Sequence, residues 1–465
     1  MRRHLLFVFA LAATAPSRLP AAGGTAIPAA AAAYVAEAFE RNVALQGRLP
    51  DLEQARARLD EVRGAYQPRV DLVARYSRAD GGRTIDFPTG DLLNGAYRTL
   101  NDYLRSQGQP GVFPQVANQS IALLRDREQE TKVRVVQPIY RPEISRGVRA
   151  GRAALLSREA QLAAYRRELR LTVLTAYHGY LQSEAAVEIL ASAAQLTAEA
   201  VRVNRLLEEA GKVTEDRVLR AEADDLAVAQ QRAEARRDGN SARSFLNFLV
   251  NRPLATPVDR APEAELQALA DALVAGEIPS ALSPDRREEL QALQNAVAAA
   301  VASEDAQRAR LWPTLALAVE GGIQGAGYRT GGDAGFLQGS LVAEVNLWDG
   351  RERHSRLRQA RAEVRKMELQ LEETRQQLAL QLQQAGDEVE AAVAALRASQ
   401  ARSRAASRAF ELVAQRDREG LANQLTFLDA RNERTRAELN RTVTRGRLFV
   451  AAAALDRAAA LSPLP

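Results

Sequence analysis

The chain carries one architectural unit twice. A long polar helical pattern ends at Glu209-Ala210-Gly211-Lys212-Val213-Thr214 and resumes at Val218-Leu219-Arg220-Ala221. In the second half another ends at Glu419-Gly420-Leu421-Ala422-Asn423 and resumes at Phe427-Leu428-Asp429-Ala430. The segments ahead of these helices also match. Tyr66-Gln67-Pro68-Arg69-Val70-Asp71-Leu72 parallels Leu311-Trp312-Pro313-Thr314-Leu315-Ala316-Leu317, and Val136-Gln137-Pro138-Ile139-Tyr140 parallels Glu344-Val345-Asn346-Leu347-Trp348. Similarity on this scale marks a duplicated and fused structural unit. Each unit reads as helix, hairpin of strands, very long helix, turn, long helix. The expected division is a leader over 1–24, a first repeat over 25–252, a linker over 253–282 with Pro253, Pro257, Pro262 and Pro279, and a second repeat over 283–461.

The helices give the strongest periodic signal. Leu357, Val364, Leu371 and Leu378 recur every seven residues; after a step of four come Leu382, Val389 and Leu396, with Ser403 and Phe410 in phase. The companion positions Ala385, Ala392, Ser399 and Ala406 are small and allow close helix approach. The first half offers Leu155, Leu162 and Leu169, then Leu174 and Leu181, then Ile189, Leu196 and Val203. Each helix is expected to run about 65 residues, or about 100 Å at 1.5 Å per residue. A return helix of about 35 residues covers half of that. The shorter helices at 28–66, broken near Leu49-Pro50, and at 284–311 are placed to complete it. Gly211 and Gly420 sit where a left-handed C-terminal residue is wanted, with Thr214 and Asn423 as caps of the following helices. Ser283-Pro284 reads as a cap followed by proline at the first helical position.

The strands alternate with a period of two. Val70, Leu72, Ala74 and Tyr76 alternate with Arg69, Asp71, Arg75 and Ser77; Leu315, Leu317, Val319 and Ile323 with Thr314, Ala316, Ala318 and Glu320; Leu341, Ala343, Val345 and Leu347 with Ser340, Glu344 and Asn346. The return strand of the first half is weaker, with Val133 and Val135 against Lys132 and Arg134. Segments of about ten residues can cross a bilayer when tilted; a sheet with one wet face gives the same pattern. The connection Gly321–Gly335 is short and glycine-rich, whereas the one from about Ala79 to Glu130 is long and holds a small helical insert between Gly90 and Leu104.

Composition excludes several functions. The formal charge is +5, but 63 basic residues face 58 acidic ones and interleave along helices, which describes a solvated helix surface rather than a nucleic-acid site. There is no cysteine, so thiolate metal sites and disulfides are absent. Arg2-Arg3 ahead of Leu5–Ala13 is the pattern of an export leader, too short to span a bilayer, and no later run reaches 18 apolar residues. Gly211-Lys212-Val213-Thr214 fails as a phosphate loop, because Val213 stands where Ser or Thr is needed and Leu206 where glycine is. His4, His178 and His354 belong to no ligand cluster. No catalytic constellation, cofactor motif or metal site is expected.

Four strands cannot close a barrel around a lumen, and a membrane forbids open edges. Membrane strands would therefore have to be shared among several chains, three of them giving twelve. The order and duplication of Tyr66-Gln67-Pro68, Leu311-Trp312-Pro313, Val345-Asn346-Leu347-Trp348-Asp349-Gly350, Arg286-Arg287-Glu288-Glu289-Leu290 and the two glycine turns resemble the TolC family of outer-membrane efflux factors over about 30–460. That resemblance implies a mainly α fold with a β-barrel part: two tandem repeats of a β-hairpin and a long α-helical hairpin, forming in a homotrimer a 12-stranded barrel in outer-membrane lipid and an α-helical periplasmic tunnel. It implies an outer-membrane channel that extends into the periplasm and works with a periplasmic adaptor and an inner-membrane pump, in efflux or type I secretion, with no nucleic-acid partner and no enzymatic activity. It further places Gly211, Thr214, Gly420 and Asn423 in adaptor-contacting helix turns, and Arg217, Arg220, Thr426 and Asp429 around the periplasmic aperture. The family's acidic aperture positions match here only at Asp429. The alternative is an exported coiled-coil scaffold binding partners through its helical faces; it accounts for the heptads but not for the paired strands.

Overall fold

The computed structural model describes residues 27–276, 282–328, 333–419 and 424–464; the leader, Pro279, Gly420 and Asn423 lie outside the described residues. In chain order the elements are α1 (Ala29–Arg41), α2 (Val43–Gln46), α3 (Leu49–Gly64), β1 (Arg69–Arg78), β2 (Thr84–Phe87), α4 (Thr89–Ser106), β3 (Gln119–Ala122), β4 (Arg127–Tyr140), α5 (Pro142–Glu209), α6 (Glu215–Leu249), α7 (Glu263–Ala275), a 3₁₀ turn (Pro284–Arg286), α8 (Glu288–Ala309), β5 (Thr314–Gly325), β6 (Gly335–Glu344), α9 (Glu352–Arg418) and α10 (Gln424–Ala459). The long helices have 68 and 67 residues and their returns 35 and 36, as the duplication requires. No described helix is long and apolar enough to cross a membrane. Two compact units emerge, and each draws on both repeats: one comprises the described residues of 27–57, 152–300 and 362–464, the other those of 58–151 and 301–361.

The second unit is built on a four-stranded antiparallel sheet of order β1-β4-β5-β6. The two hairpins of the repeats are joined by the β4–β5 ladder, so β4, weak in the alternation pattern, is the longest strand at 14 residues. It is paired along both sides, and Glu128, Glu130, Lys132 and Arg134 share one face, with Arg127 on the other. Its register shifts against β5 between Pro138 and Tyr140, where proline has no N–H to give the ladder. β6 stops at Glu344 instead of continuing through Val345 and Leu347. Its partner strand begins at Thr314, preceded by Pro313. The chain then turns through Gly350 and Arg351, both at positive φ, held by Arg353, which donates to the Asp349 carboxylate (2.6 Å) and the Asn346 carbonyl (2.6 Å).

The helical unit confirms one seam and corrects the other. On α9 the buried stripe includes Leu378, Val389, Ala392, Leu396, Ser399, Ser403, Ala406 and Phe410, which is the phase of its heptads. Late in α5 the stripe shifts: Leu196 and Val203 are exposed, and Leu190, Ala193, Thr197 and Asn204 are buried instead. Small and polar residues can take the seam there because the neighbouring helix supplies partners, as when Thr197 meets Asp225 of α6. Ser283 does cap, but it caps the 3₁₀ turn through the Asp285 N–H, and α8 starts only at Glu288.

The described part of the linker region, 253–276, contains α7 and packs on the helices. Val258 joins the core of Tyr34, Leu174, Tyr177 and Leu246, while Ala261, Leu266 and Ala270 join that of Val389, Leu396, Leu448 and Leu455. Two tyrosine hydroxyls hold it: Tyr34 accepts from the Asp259 N–H and Tyr177 from the Ala261 N–H, each at 2.9 Å. Burial pushes the Tyr177 hydroxyl up to about 12, so it stays protonated and also donates to the Asp259 carbonyl.

His178, 4% exposed, lies 4.8 Å from the Phe449 ring. Burial, with the charge of Arg445 adding to it, pushes its pKa down to about 4 from 6.5. Between those values the unfolded chain binds a proton that the folded chain does not. The contribution is therefore fully present above pH 6.5 and is lost as pH falls toward 4. Its ceiling is about 3 kcal/mol per chain at 1.36 kcal/mol per unit. We expect His178→Phe to flatten the decline of the melting temperature between pH 6.5 and 4, measured in thermal scans across that range.

Candidate functional site

The turn between α5 and α6 is set by backbone chemistry. Gly211 has φ +68°, and its N–H donates to the Glu208 carbonyl while that of Lys212 reaches back to Leu207, both at 2.8 Å. This is the Schellman arrangement, which satisfies the last carbonyls of α5. Thr214 is extended at the cap position of α6, but its hydroxyl donates to the Asp216 carboxylate rather than accepting from the helix. Glu215 and Asp216 place negative charge on the positive end of α6 instead. Farther along, Arg205 and Glu222 brace the two helices at 2.6 Å.

Of the expected aperture residues, Arg220 is exposed and faces Asp216 on its own helix at 3.6 Å, and Arg217 is half-buried beside it. Thr426 and Asp429 are exposed on the first turns of α10, whose start is pinned by Phe427 against Phe410, 5.6 Å between centroids. Arg220 and Asp429 do not pair within the chain. The two return helices are joined elsewhere: Arg431 of α10, 1% exposed, donates to Asp224 of α6 and to Asn432. Its Nη1 is buried without a protein partner. Sequence reading missed this pair. The available signal was that Asp224 and Asp225 fall on the seam between the buried Val218, Ala221 and Val228, where a carboxylate needs a partner.

The sheet carries a second candidate surface. In an antiparallel ladder, directly opposed residues share a face. The register therefore puts Val70, Leu72, Tyr76, Val133, Val135, Leu317, Leu337 and Leu341 on one side. Leu72, Leu337 and Leu341 are 73%, 81% and 67% exposed. On the other side runs a chain of ion pairs: Arg75 to Glu130 (3.4 Å), Glu130 to Lys132 (3.0 Å), Lys132 to Glu320 (2.9 Å) and Glu320 to Arg134 (3.0 Å). Gly322 makes the close packing possible, since a Cβ there would lie 2.2 Å from the Thr131 carbonyl oxygen. Among the described residues, no group of three His, Asp or Glu could hold a metal ion.

The sheet thus has an exposed apolar face and an ion-paired face, on a protein of the duplicated hairpin-and-helix class. Known proteins share the fold. The chain superposes on the outer-membrane channel CmeC of Campylobacter jejuni with a TM-score of 0.74 at 14% identity, covering 93% of this chain and 85% of that one. For CusC the TM-score is 0.77 at 14% identity, with 95% of each chain covered. For the open state of the MtrE outer-membrane channel of Neisseria gonorrhoeae it is 0.73 at 19% identity, covering 92% and 88%. No curated protein sequence matches. Residues 281–461 match the family model of the outer membrane efflux protein. That match lies in the second repeat, and the first repeat has the same succession of elements.

Removing one member of a buried ion pair leaves an uncompensated charge, at a cost of about 3–5 kcal/mol when both are fully enclosed. Asp224 keeps part of its surface, so about half that is expected here. Arg431→Met should lower stability in urea unfolding, and Arg431→Met with Asp224→Leu should recover most of the loss.

Proposed function

We propose that this protein is the outer-membrane channel of a tripartite efflux or type I secretion system, conducting substrates received from an inner-membrane pump through the periplasm and across the outer membrane. The observation that carries this reading is the sheet: apolar on one face, charged on the other, with β1 and β6 each paired on one side only. Three copies in edge-to-edge register would remove every open edge and turn the ion-pair chains toward a common lumen. The helical hairpins would then form the tunnel, with a periplasmic adaptor contacting the turns around Gly211, Thr214, Gly420 and Asn423. We expect detergent-purified protein to have about three times the chain mass of 50.6 kDa, less any leader removed. A monodisperse monomer obtained without detergent would overturn the reading. Cysteines at Thr214 should crosslink to the adaptor in cells.

In this assembly Arg217, Arg220, Thr426 and Asp429 surround the periplasmic aperture. The exposure of Asp429 and Arg220 in the single chain leaves them open to pairing between protomers. Asp429→Ala is expected to raise single-channel conductance in planar bilayers, and to do so less when Arg220 is already Ala. Strictly additive effects would make both ordinary surface charges.

A further inference from the structure

The connection between β1 and β4 is an ordered substructure with an uncovered face. At about 100° per residue, α4 divides into three sectors. The first holds Gly90, Asn94, Tyr97, Asn101 and Leu104, and it is occupied. Asn94 exchanges two hydrogen bonds with the backbone of Val116 (2.8 and 2.9 Å), and Asn101 does the same with Phe113 (2.8 and 3.0 Å). Asn118 accepts from the Asp91 N–H at the helix start and donates to the Asp91 carboxylate. Tyr97 packs on Phe113 at 5.3 Å. Gly90 allows the clamp to close, because a Cβ there would sit 2.3 Å from the Val116 carbonyl oxygen.

The second sector holds Asp91, Arg98, Asp102 and Arg105. The third, on the side away from these charges, holds Leu92, Leu93, Ala96, Leu100 and Tyr103, and all five are exposed. Leu92 is 75% and Tyr103 63% exposed. The adjoining β2–β3 ribbon repeats the arrangement: Ile85 lies opposite Ile121, and both are exposed, as is Phe87.

We propose that this apolar sector of α4 lies in the lipid surface of the outer leaflet, as an interfacial helix beside the barrel mouth. The inference rests on the membrane reading above and goes beyond it. Three observations select lipid as the occupant. The clamp consumes the backbone-binding groups of the helix, so its order does not await a partner. A charged sector opposite an apolar one, with tyrosine at the edge, is the division an interfacial helix needs. The apolar side of β1, ending at Tyr76, runs directly into this connection, so lipid already reaches its root. A second copy is disfavoured by size, since five residues fall far short of the roughly 20–30 per side of a standard interface.

The chain has no cysteine, so single spin labels can be placed without background. Leu100→Cys and Tyr103→Cys test the apolar sector, Asp102→Cys the charged sector, and Leu72→Cys the barrel face. The labelled full-length protein is reconstituted in vesicles of phosphatidylethanolamine and phosphatidylglycerol. We expect labels at 72, 100 and 103 to be relaxed by oxygen more than by a water-soluble nickel chelate, and the label at 102 to show the reverse. Lipid exposure at 72 with water exposure at 100 and 103 overturns this proposal alone. Protection at 100 and 103 from both reagents, with disulfides forming between protomers, assigns the face to a second copy and also overturns it. Water exposure at 72 removes the membrane reading and this proposal with it.

Discussion

The free edges of the four-stranded sheet are the constraint on which the rest of this architecture depends. A sheet that is apolar on one side and charged on the other can sit between lipid and water, but every unpaired N–H and C=O on β1 and β6 must find a partner there. One chain cannot supply it, because four strands cannot curl far enough to meet around a lumen. Duplication within the chain reduces the number of copies needed to close the ring. It also lets the β4–β5 ladder, which joins the two repeats, pair as the hairpin ladders do up to its register shift at Pro138.

The charged face follows from the same constraint. Arg75, Lys132 and Arg134 alternate with Glu130 and Glu320 across three strands, so each charge has an opposite neighbour within reach. A lumen lined this way is wet and polar without a strong field of either sign. Gly322 shows how closely the wall is set, since any side chain would force β4 and β5 apart at the point where Lys132 bridges two carboxylates.

Much of this was legible in the sequence because it repeats or alternates. The glycine turn at Gly211, the α9 heptads and the strand periods each follow from a backbone geometry that only certain residues satisfy. What stayed hidden depends on contacts made at a distance. Asp224 and Arg431 look like ordinary helix-surface charges until α6 and α10 are side by side. The prolines of 253–282 mark a linker, but do not reveal that the hydroxyls of Tyr34 and Tyr177 bind its backbone at Asp259 and Ala261. Thr214 stood at the right place for a cap, but a carboxylate two residues on was the better acceptor. Val345 and Leu347 continued an alternation whose partner strand had already ended at a proline.

The hidden contacts share a physical logic. A seam of alanine and serine lets long helices approach closely, but it specifies their axial position poorly, because one small residue fits against a neighbour much as the next does. Buried polar pairs restore the register, since a slip of one turn would leave each member unpartnered in a dry setting. Such pairs occur between several different helices: Ser157 with the Ala292 carbonyl links α5 to α8, Thr197 with Asp225 links α5 to α6, Ser399 with Thr444 links α9 to α10, and Asp224 with Arg431 links α6 to α10. The last is the only one of these four that is an ion pair, and like the first it joins the two repeats. Small residues with polar pins localise the resistance to sliding that a continuous leucine seam would spread along the whole helix.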